Sequence, residues 1–215
     1  ERVVRSLRNA LERIGWANAK VSGARVRQDA TSGAVPVRVT VEEGLPTMAR
    51  SVATEIFLPG AGSPLARRLT ETNAPFSRVW LQQMAAPLRL EQQRLGYPDV
   101  TVTFSTLARQ TNATNIFVEV QARVDTGPPV RLGAVRFAGG DAVRQGVLDG
   151  RIHLKPGEPL DRVEAEAGRE RLSRIGVFDS VGVRYEPQEG GTRAGVYGMR
   201  KAETRSLSLL AGYGR

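Results

Sequence analysis

The sequence predicts an α+β protein built from tandem small modules, each ordered strand–helix–helix–strand–strand, with a three-stranded mixed sheet packed on two helices. Three glycines, Gly15, Gly96 and Gly176, recur at intervals of 81 and then 80 residues. Each of them ends a run of apolar residues at helical spacing, and each is followed by a segment that reads as a strand. Because the same interval occurs twice, we interpret the chain as copies of one unit.

Each copy contains a long helix that ends at the repeat glycine, where a left-handed residue favours helix termination. The apolar stripe of this helix comprises Val4, Leu7, Leu11 and Ile14 in the first copy, Met84, Leu88 and Leu95 in the second, and Leu172 and Ile175 in the third. Ser77 and Asp161 are the expected N-caps, and Asp161 with Glu164 is expected to form a capping box. Pro87 is expected to kink or break the second long helix.

Strands follow each glycine. The first strand after it alternates at Val100–Phe104 and Val181–Tyr185 and is looser at Val21–Val26, where Gly23 indicates a bulge or bend. After a polar turn, another strand is expected at Val35–Val41, Ile116–Val120 and Ala194–Arg200. An opening strand precedes the helices at Ala49–Phe57 and Val130–Phe137.

A second, shorter helix is expected after each opening strand, near Pro64–Thr72 and near Asp141–Ile152. The predicted domains are therefore a partial module over 1–44, complete modules over 45–127 and 128–204, and a separate segment over 205–215.

Composition and residue types argue against several functions. The net charge is +9, but the cations are mostly scattered arginines with three lysines, and aromatic residues make up only 6% of the chain, so a nucleic-acid-binding module remains a remote alternative. The chain has no cysteine, and His153 is its only histidine. "FAGGDAVRQG" (137–146) lacks the spacing of a phosphate-binding loop. We therefore expect no enzyme activity, no catalytic residue, no cofactor and no metal site.

The repeated unit resembles the POTRA (polypeptide-transport-associated) module. The resemblance depends on the five-element order, on the length of the unit, and on the phrases "LEQQRLGYPDVTV" (90–102), "VDTGPPVRLGAVRFAGG" (124–140), "GEPLD" (157–161) and "RIGVFDSVGV" (174–183). It marks Gly15, Gly96, Gly176 and Phe178 as structural hallmark positions.

The last residues carry a second resemblance. "RSLSLLAGYGR" (205–215) places Leu207, Leu209, Ala211 and Tyr213 on one face of a strand. It is similar to the first barrel strand of outer-membrane assembly factors of the BamA/TamA type, so 205–215 is expected to begin an outer-membrane β-barrel or to link to one. The resemblance implies a location at the periplasmic face of the bacterial outer membrane.

The resemblance also implies what the chain binds: unfolded outer-membrane proteins or autotransporters, accessory periplasmic or lipoprotein subunits, the outer membrane through the barrel, and no nucleic acid. In a module of this order the second strand is an exposed edge that can accept a strand from another chain. The predicted client-binding edges are Val100, Thr101, Val102, Thr103 and Phe104, and Val181, Gly182, Val183, Arg184 and Tyr185, with Val21–Val26 as a third candidate. A scaffold for accessory subunits, a two-partner secretion transporter, and a lipid-facing cluster of Arg193, Arg200, Lys201 and Arg205 are the alternatives.

Overall fold

The computed structural model describes residues 2–25 and 37–202, which fall into two compact units. Unit 1 comprises Glu1–Glu91 and Asp99–Pro128, and unit 2 comprises Gln92–Pro98 and Pro129–Arg215. The described elements in chain order are α1 (Arg2–Arg13), β1 (Lys20–Arg25), β2 (Val37–Glu42), β3 (Thr47–Phe57), β4 (Ala66–Pro75), α2 (Arg78–Arg94), β5 (Thr101–Thr111), β6 (Ile116–Asp125), β7 (Arg131–Ala138), α3 (Gln145–Asp149), α4 (Arg162–Ser173), β8 (Phe178–Pro187) and β9 (Thr192–Lys201).

Unit 1 begins with α1 and an antiparallel pair of strands, β1 and β2, in which Lys20 lies opposite Glu42 and Arg25 opposite Val37. The predicted helix and the two strands of the first copy are therefore confirmed where they are described. The predicted apolar stripe is not buried, since α1 contains no buried residue and Ile14 is 56% exposed. The bulge expected at Gly23 does not occur, because Gly23 lies opposite Val39 in an unbroken ladder. Val26 and residues 35–36, the outer parts of those predicted strands, lie outside the described residues.

The rest of unit 1 contains a four-stranded sheet in the order β4–β3–β6–β5, where three strands were expected, because β4 is added beside β3. Strand β3 runs parallel to β6, whereas β4 and β5 pair antiparallel with their neighbours. One face of the sheet is packed under α2, where Val52, Val118 and Val120 meet Trp80 and Met84. Alternation along β6 explains this one-sided core, because its even-numbered residues are all buried and its odd-numbered ones are not.

Strand β4 corrects a prediction. The segment Pro64–Thr72 was expected to form a helix, but it enters a strand that pairs with β3 from Ile56 opposite Ala66 to Met48 opposite Pro75. The preceding "PGAGSP" (59–64) forms a tight connection that includes left-handed Gly60 (φ 72°), so β3 and β4 are a hairpin. A helix here would bury little, since Leu65 and Leu69 are the large apolar residues of the segment and both are exposed.

Unit 2 follows the predicted order more closely. Its sheet has the order β7–β9–β8, with β7 parallel and β8 antiparallel to β9, and α3 is the short helix expected near Asp141–Ile152. Tyr197 on β9 is fully buried, and its hydroxyl donates a hydrogen bond to the carbonyl oxygen of Ala165 on α4 at 3.0 Å. Gly168 permits this approach, because a Cβ there would lie 3.0 Å from the Tyr197 hydroxyl and 2.8 Å from Ile152 Cδ1.

The predicted helix caps are confirmed. The Ser77 hydroxyl accepts a hydrogen bond from the Trp80 amide at 3.1 Å, and the Asp161 carboxylate accepts from the Val163 and Glu164 amides at 2.8 and 2.9 Å. The carboxylate of Glu164, the second member of the expected capping box, forms a salt bridge with Arg171. A break at Pro87 does not occur, since α2 continues through this residue.

Candidate functional site

Strand β5 is an edge of the unit 1 sheet and, of the strands described, is hydrogen-bonded to β6 alone. Two of the predicted binding residues, Val102 and Phe104, pack on the core, whereas Thr101 and Thr103 are exposed. Val100 is buried directly before the strand begins. The side chains of β5 are therefore those of an ordinary one-sided strand, while its outer backbone edge faces no other strand among the described residues of unit 1.

The chemistry of β5 is neutral over most of its length. Residues 101–108, "TVTFSTLA", carry no charged side chain. The pairing with β6 shifts between Thr106 and Ala108, and Leu107 within this irregularity is 57% exposed. A long, uncharged edge with an exposed leucine is the type of strand that pairs readily with another chain.

Strand β8 is the corresponding edge in unit 2, and within the described part of that unit it is paired with β9 alone. Val181 and Val183 pack against the cluster that contains Tyr197, and Tyr185 packs against the cluster that contains Leu160. A Cβ placed on Gly182 would meet nothing within 4 Å, so the opposite face of β8 is open at this point.

Charges on β8 are paired within the unit. Arg184 Nε lies 3.0 Å from Glu186 Oε1, and Arg200 Nη2 lies 2.6 Å from Asp179 Oδ2. The Arg162 guanidinium lies 5.3 Å from the centre of the Tyr185 ring, and burial raises the pKa of the Tyr185 hydroxyl. Strand β8 therefore carries charged side chains that contact one another within unit 2, whereas residues 101–108 of β5 carry no charge.

The third candidate, Val21–Val26, lies mostly on β1. Val21 is buried and pairs with Val41 of β2 in a two-stranded ladder. Val26 lies outside the described residues.

The hallmark glycines have a role that the sequence did not reveal. All three have positive φ, as predicted for helix ends: 96° at Gly15, 89° at Gly96 and 84° at Gly176. The Gly15 carbonyl accepts a hydrogen bond from the Thr47 amide at 2.7 Å within unit 1, and the Gly96 carbonyl accepts one from the Val130 amide at 2.8 Å within unit 2. These two carbonyls therefore hold the start of a later strand, β3 in the case of Gly15 and β7 in the case of Gly96.

Thr47 and Val130, which donate to the two glycine carbonyls, also accept a matching pair of backbone hydrogen bonds. The carbonyls of Thr47 and Val130 accept hydrogen bonds from the Phe76 and Leu160 amides, each at 2.9 Å. Thr47 and Val130 each lie five residues after the end of a strand, β2 and β6 respectively. An alignment of the two copies on Gly15 and Gly96 could have revealed this shared position. Phe178, the fourth hallmark residue, is buried in the core of unit 2.

The other residues considered from the sequence, His153 and the basic residues near the C-terminal end, do not form a binding site among the described residues. His153 is largely exposed and lies 3.3 Å from Glu164 Oε1 through Nδ1. Within residues 2–25 and 37–202, no three His, Cys, Asp or Glu side chains are grouped to hold a metal ion. Arg205 and the whole 205–215 segment lie outside the described residues, and no helix among those described is long and apolar enough to cross a membrane.

Comparisons with known proteins agree with this architecture. The family model POTRA, described as "Surface antigen variable number repeat", matches residues 130–197. A crystal structure of Haemophilus influenzae BamA POTRA3-5 is similar with a TM-score of 0.61 at 21% identity, covering 93% of this chain and 79% of that one. BamA from Haemophilus ducreyi lacking POTRA domains 1-3 gives a TM-score of 0.54 at 17% identity, covering 61% of this chain and 25% of that one.

The chain therefore has the α+β fold of POTRA domains, which confirms the predicted fold class. The family match lies in unit 2, and the structural likeness extends to most of the chain.

Proposed function

We propose that this chain is the periplasmic POTRA region of an outer-membrane protein assembly or secretion factor, and that it binds unfolded β-barrel or autotransporter clients by strand addition at β5 and β8. The observation that carries the proposal is the edge position of both strands. The match of residues 130–197 to the POTRA family and the likeness to BamA POTRA domains support the setting.

Strand addition suits a receptor for many clients. An added strand forms hydrogen bonds through backbone N–H and C=O groups, which every client possesses except at proline. Because residues 101–108 carry no charge, β5 imposes no charge requirement on the strand beside it. Selection by side chains is weak at this edge, and binding is expected to be transient.

A client strand added at β5 would extend a sheet that packs against α2 on one face only. In unit 1 the new strand would lie beside Val102 and Phe104 on the face towards α2, and beside Thr101 and Thr103 on the opposite face. Alternating client sequences, apolar on one side and polar on the other, match this division. Transmembrane barrel strands have that alternation.

A titration followed by backbone amide NMR shifts tests the proposal. The 215-residue chain is titrated with a peptide from an outer-membrane barrel strand and, separately, with the same peptide N-methylated at alternate residues. N-methylation removes main-chain donors and leaves the side chains unchanged. We expect shifts at β5 and β8 with the first peptide and their loss with the second.

Two outcomes would contradict strand addition. Equal binding of both peptides would show that side chains alone hold the client. Absence of binding would favour the alternative in which the modules dock accessory periplasmic or lipoprotein subunits. Single-stranded DNA serves as a control, because a response to it that falls with salt would support the nucleic-acid alternative.

A further inference from the structure

Strand β4 gives unit 1 a second exposed edge, on the side of the sheet opposite to β5. Among the described strands it pairs with β3 only, and its residues are exposed or partly exposed along the whole strand. Its regular part is Ala66–Glu71, since the register with β3 shifts beyond that point. This edge is separate from the strands assigned to clients, so what it binds is an independent question.

Three side chains of β4 share the face of the sheet that α2 does not cover. Arg67 lies opposite Glu55 of β3, Leu69 opposite Ala53, and Glu71 opposite Ser51. Leu69 is 69% exposed. Arg67 Nε lies 3.0 Å from Glu55 Oε1, and its guanidinium has further N–H donors for a second carboxylate. Glu71 forms no salt bridge within the described part of the chain.

These three residues are symmetric about Leu69. We propose that β4 pairs antiparallel with β4 of a second copy of this chain, centred on Leu69, so that the two four-stranded sheets of unit 1 become one continuous sheet. In this register Leu69 meets Leu69 of the second copy, and Arg67 meets Glu71 of the second copy at both ends. Directly opposed residues in an antiparallel pair share a face, so these contacts all fall on the open face.

The charges select this register over its neighbours. A shift of two residues in one direction places Arg68 opposite Arg68 of the second copy, which is unfavourable for like charges. A shift in the other direction places Leu69 opposite Glu71 and leaves Arg67 opposite Asn73. Charged residues usually protect an edge strand from pairing, but here their placement permits one self-complementary pairing and resists the others.

Paired charge reversals test the proposal. Arg67→Glu and Glu71→Arg each turn two opposed ion pairs into two like-charge pairs, so each variant alone should self-associate about tenfold or more weakly than the wild type. Mixing the two variants restores both ion pairs in a heterodimer. The mixture should therefore associate as well as or better than the wild type, as measured by sedimentation equilibrium.

Matched controls and a site-resolved readout complete the experiment. Glu43→Arg and Arg89→Glu make the same changes in net charge away from β4, and should leave self-association unchanged. With the Arg67→Glu chain labelled with ¹⁵N and the Glu71→Arg chain unlabelled, the shifts should fall on Ala66–Glu71. Circular dichroism of each variant checks that its fold is intact.

Three results would overturn the proposal. The wild type could remain monomeric up to millimolar concentration, the mixed variants could associate no better than either alone, or the shifts could fall on β5 or β8. Binding of the barrel-strand peptide to Ala66–Glu71 in preference to a second copy would likewise assign this edge to clients. A monomeric wild type, or mixed variants that fail to associate, would leave the proposed client binding at β5 and β8 unaffected.

Discussion

Replacing Gly96 with alanine should destabilise unit 2 far more than the same replacement at Gly176. Both glycines follow a helix with left-handed backbone, at φ 89° and 84°. They differ in their surroundings: a Cβ on Gly96 would lie 2.8 Å from Pro159 Cβ and 3.3 Å from the Val130 carbonyl oxygen, whereas a Cβ on Gly176 would meet nothing within 4 Å. The pair therefore separates backbone strain from steric conflict.

The magnitudes follow from these two contributions. A left-handed alanine costs about 1–2 kcal/mol, and this is the whole expected effect of Gly176→Ala. Overpacking typically adds about 1–3 kcal/mol, so Gly96→Ala should cost about 2–5 kcal/mol. The backbone near Pro159 and Val130 must move to admit the methyl group, which weakens the hydrogen bond from the Val130 amide to the Gly96 carbonyl.

Native-state hydrogen exchange is the appropriate assay, because a chain with two units does not unfold in one step. The amides of Val130 and Leu160 should lose protection in Gly96→Ala and keep it in Gly176→Ala. Urea unfolding followed by circular dichroism gives the accompanying loss in free energy. Equal loss of stability in both variants would refute the reasoning, since it would mean that backbone strain alone decides the outcome.

Three further predictions concern unit 2. Asp161→Ala removes the acceptor of two amide hydrogen bonds at the start of α4 and should cost about 1 kcal/mol, measured by urea unfolding against an Asp161→Asn variant that retains capping. Gly168→Ala should destabilise the fold in thermal unfolding by about 1–3 kcal/mol, although alanine is the better helix former, because its Cβ would lie 2.8 Å from Ile152 Cδ1; a gain in stability would contradict this. Burial raises the pKa of the Tyr197 hydroxyl, so the neutral phenol stabilises the folded state fully below about pH 10. This contribution to the free energy of unfolding is lost as the pH rises further. In Tyr197→Phe the free energy of unfolding should therefore fall less steeply with pH above about 10, as measured by urea unfolding at a series of pH values.

Much of the fold was predictable because the modules are governed by local signals. Alternation at Val181–Tyr185 and Ile116–Val120 identified strands, and the glycine at each helix end identified the turn into them. The N-caps at Ser77 and Asp161 could be predicted because a capping side chain accepts hydrogen bonds from amides two or three residues later in the sequence. The edge position of β5 and β8 followed from pairing the third strand of each module with both of the others.

Strand β4 was not predictable by analogy between copies. Its weak apolar pattern, Leu65 and Leu69, fits a helix as well as a strand, and neither leucine becomes buried to decide between them. What decides is the hairpin connection after β3, which supplies backbone partners for the whole segment. The contacts of Gly15 with Thr47 and of Gly96 with Val130 were also missed, since they join residues more than thirty positions apart.

The two edges of unit 1 differ in the kind of partner that their charges allow. In a pair of strands, a charged residue is destabilised by a like charge on the facing residue and stabilised by the opposite charge. Each charge on an edge strand therefore restricts which sequences can pair with it. Strand β5 carries no charge over residues 101–108, so we expect it to accept many neighbouring sequences, as the proposed binding of unrelated clients requires. Strand β4 carries Arg67, Arg68 and Glu71 within five residues, so we expect it to accept few. If both proposals hold, clients and a second copy of the chain bind at opposite edges of the same sheet, so the two partners need not compete for one strand.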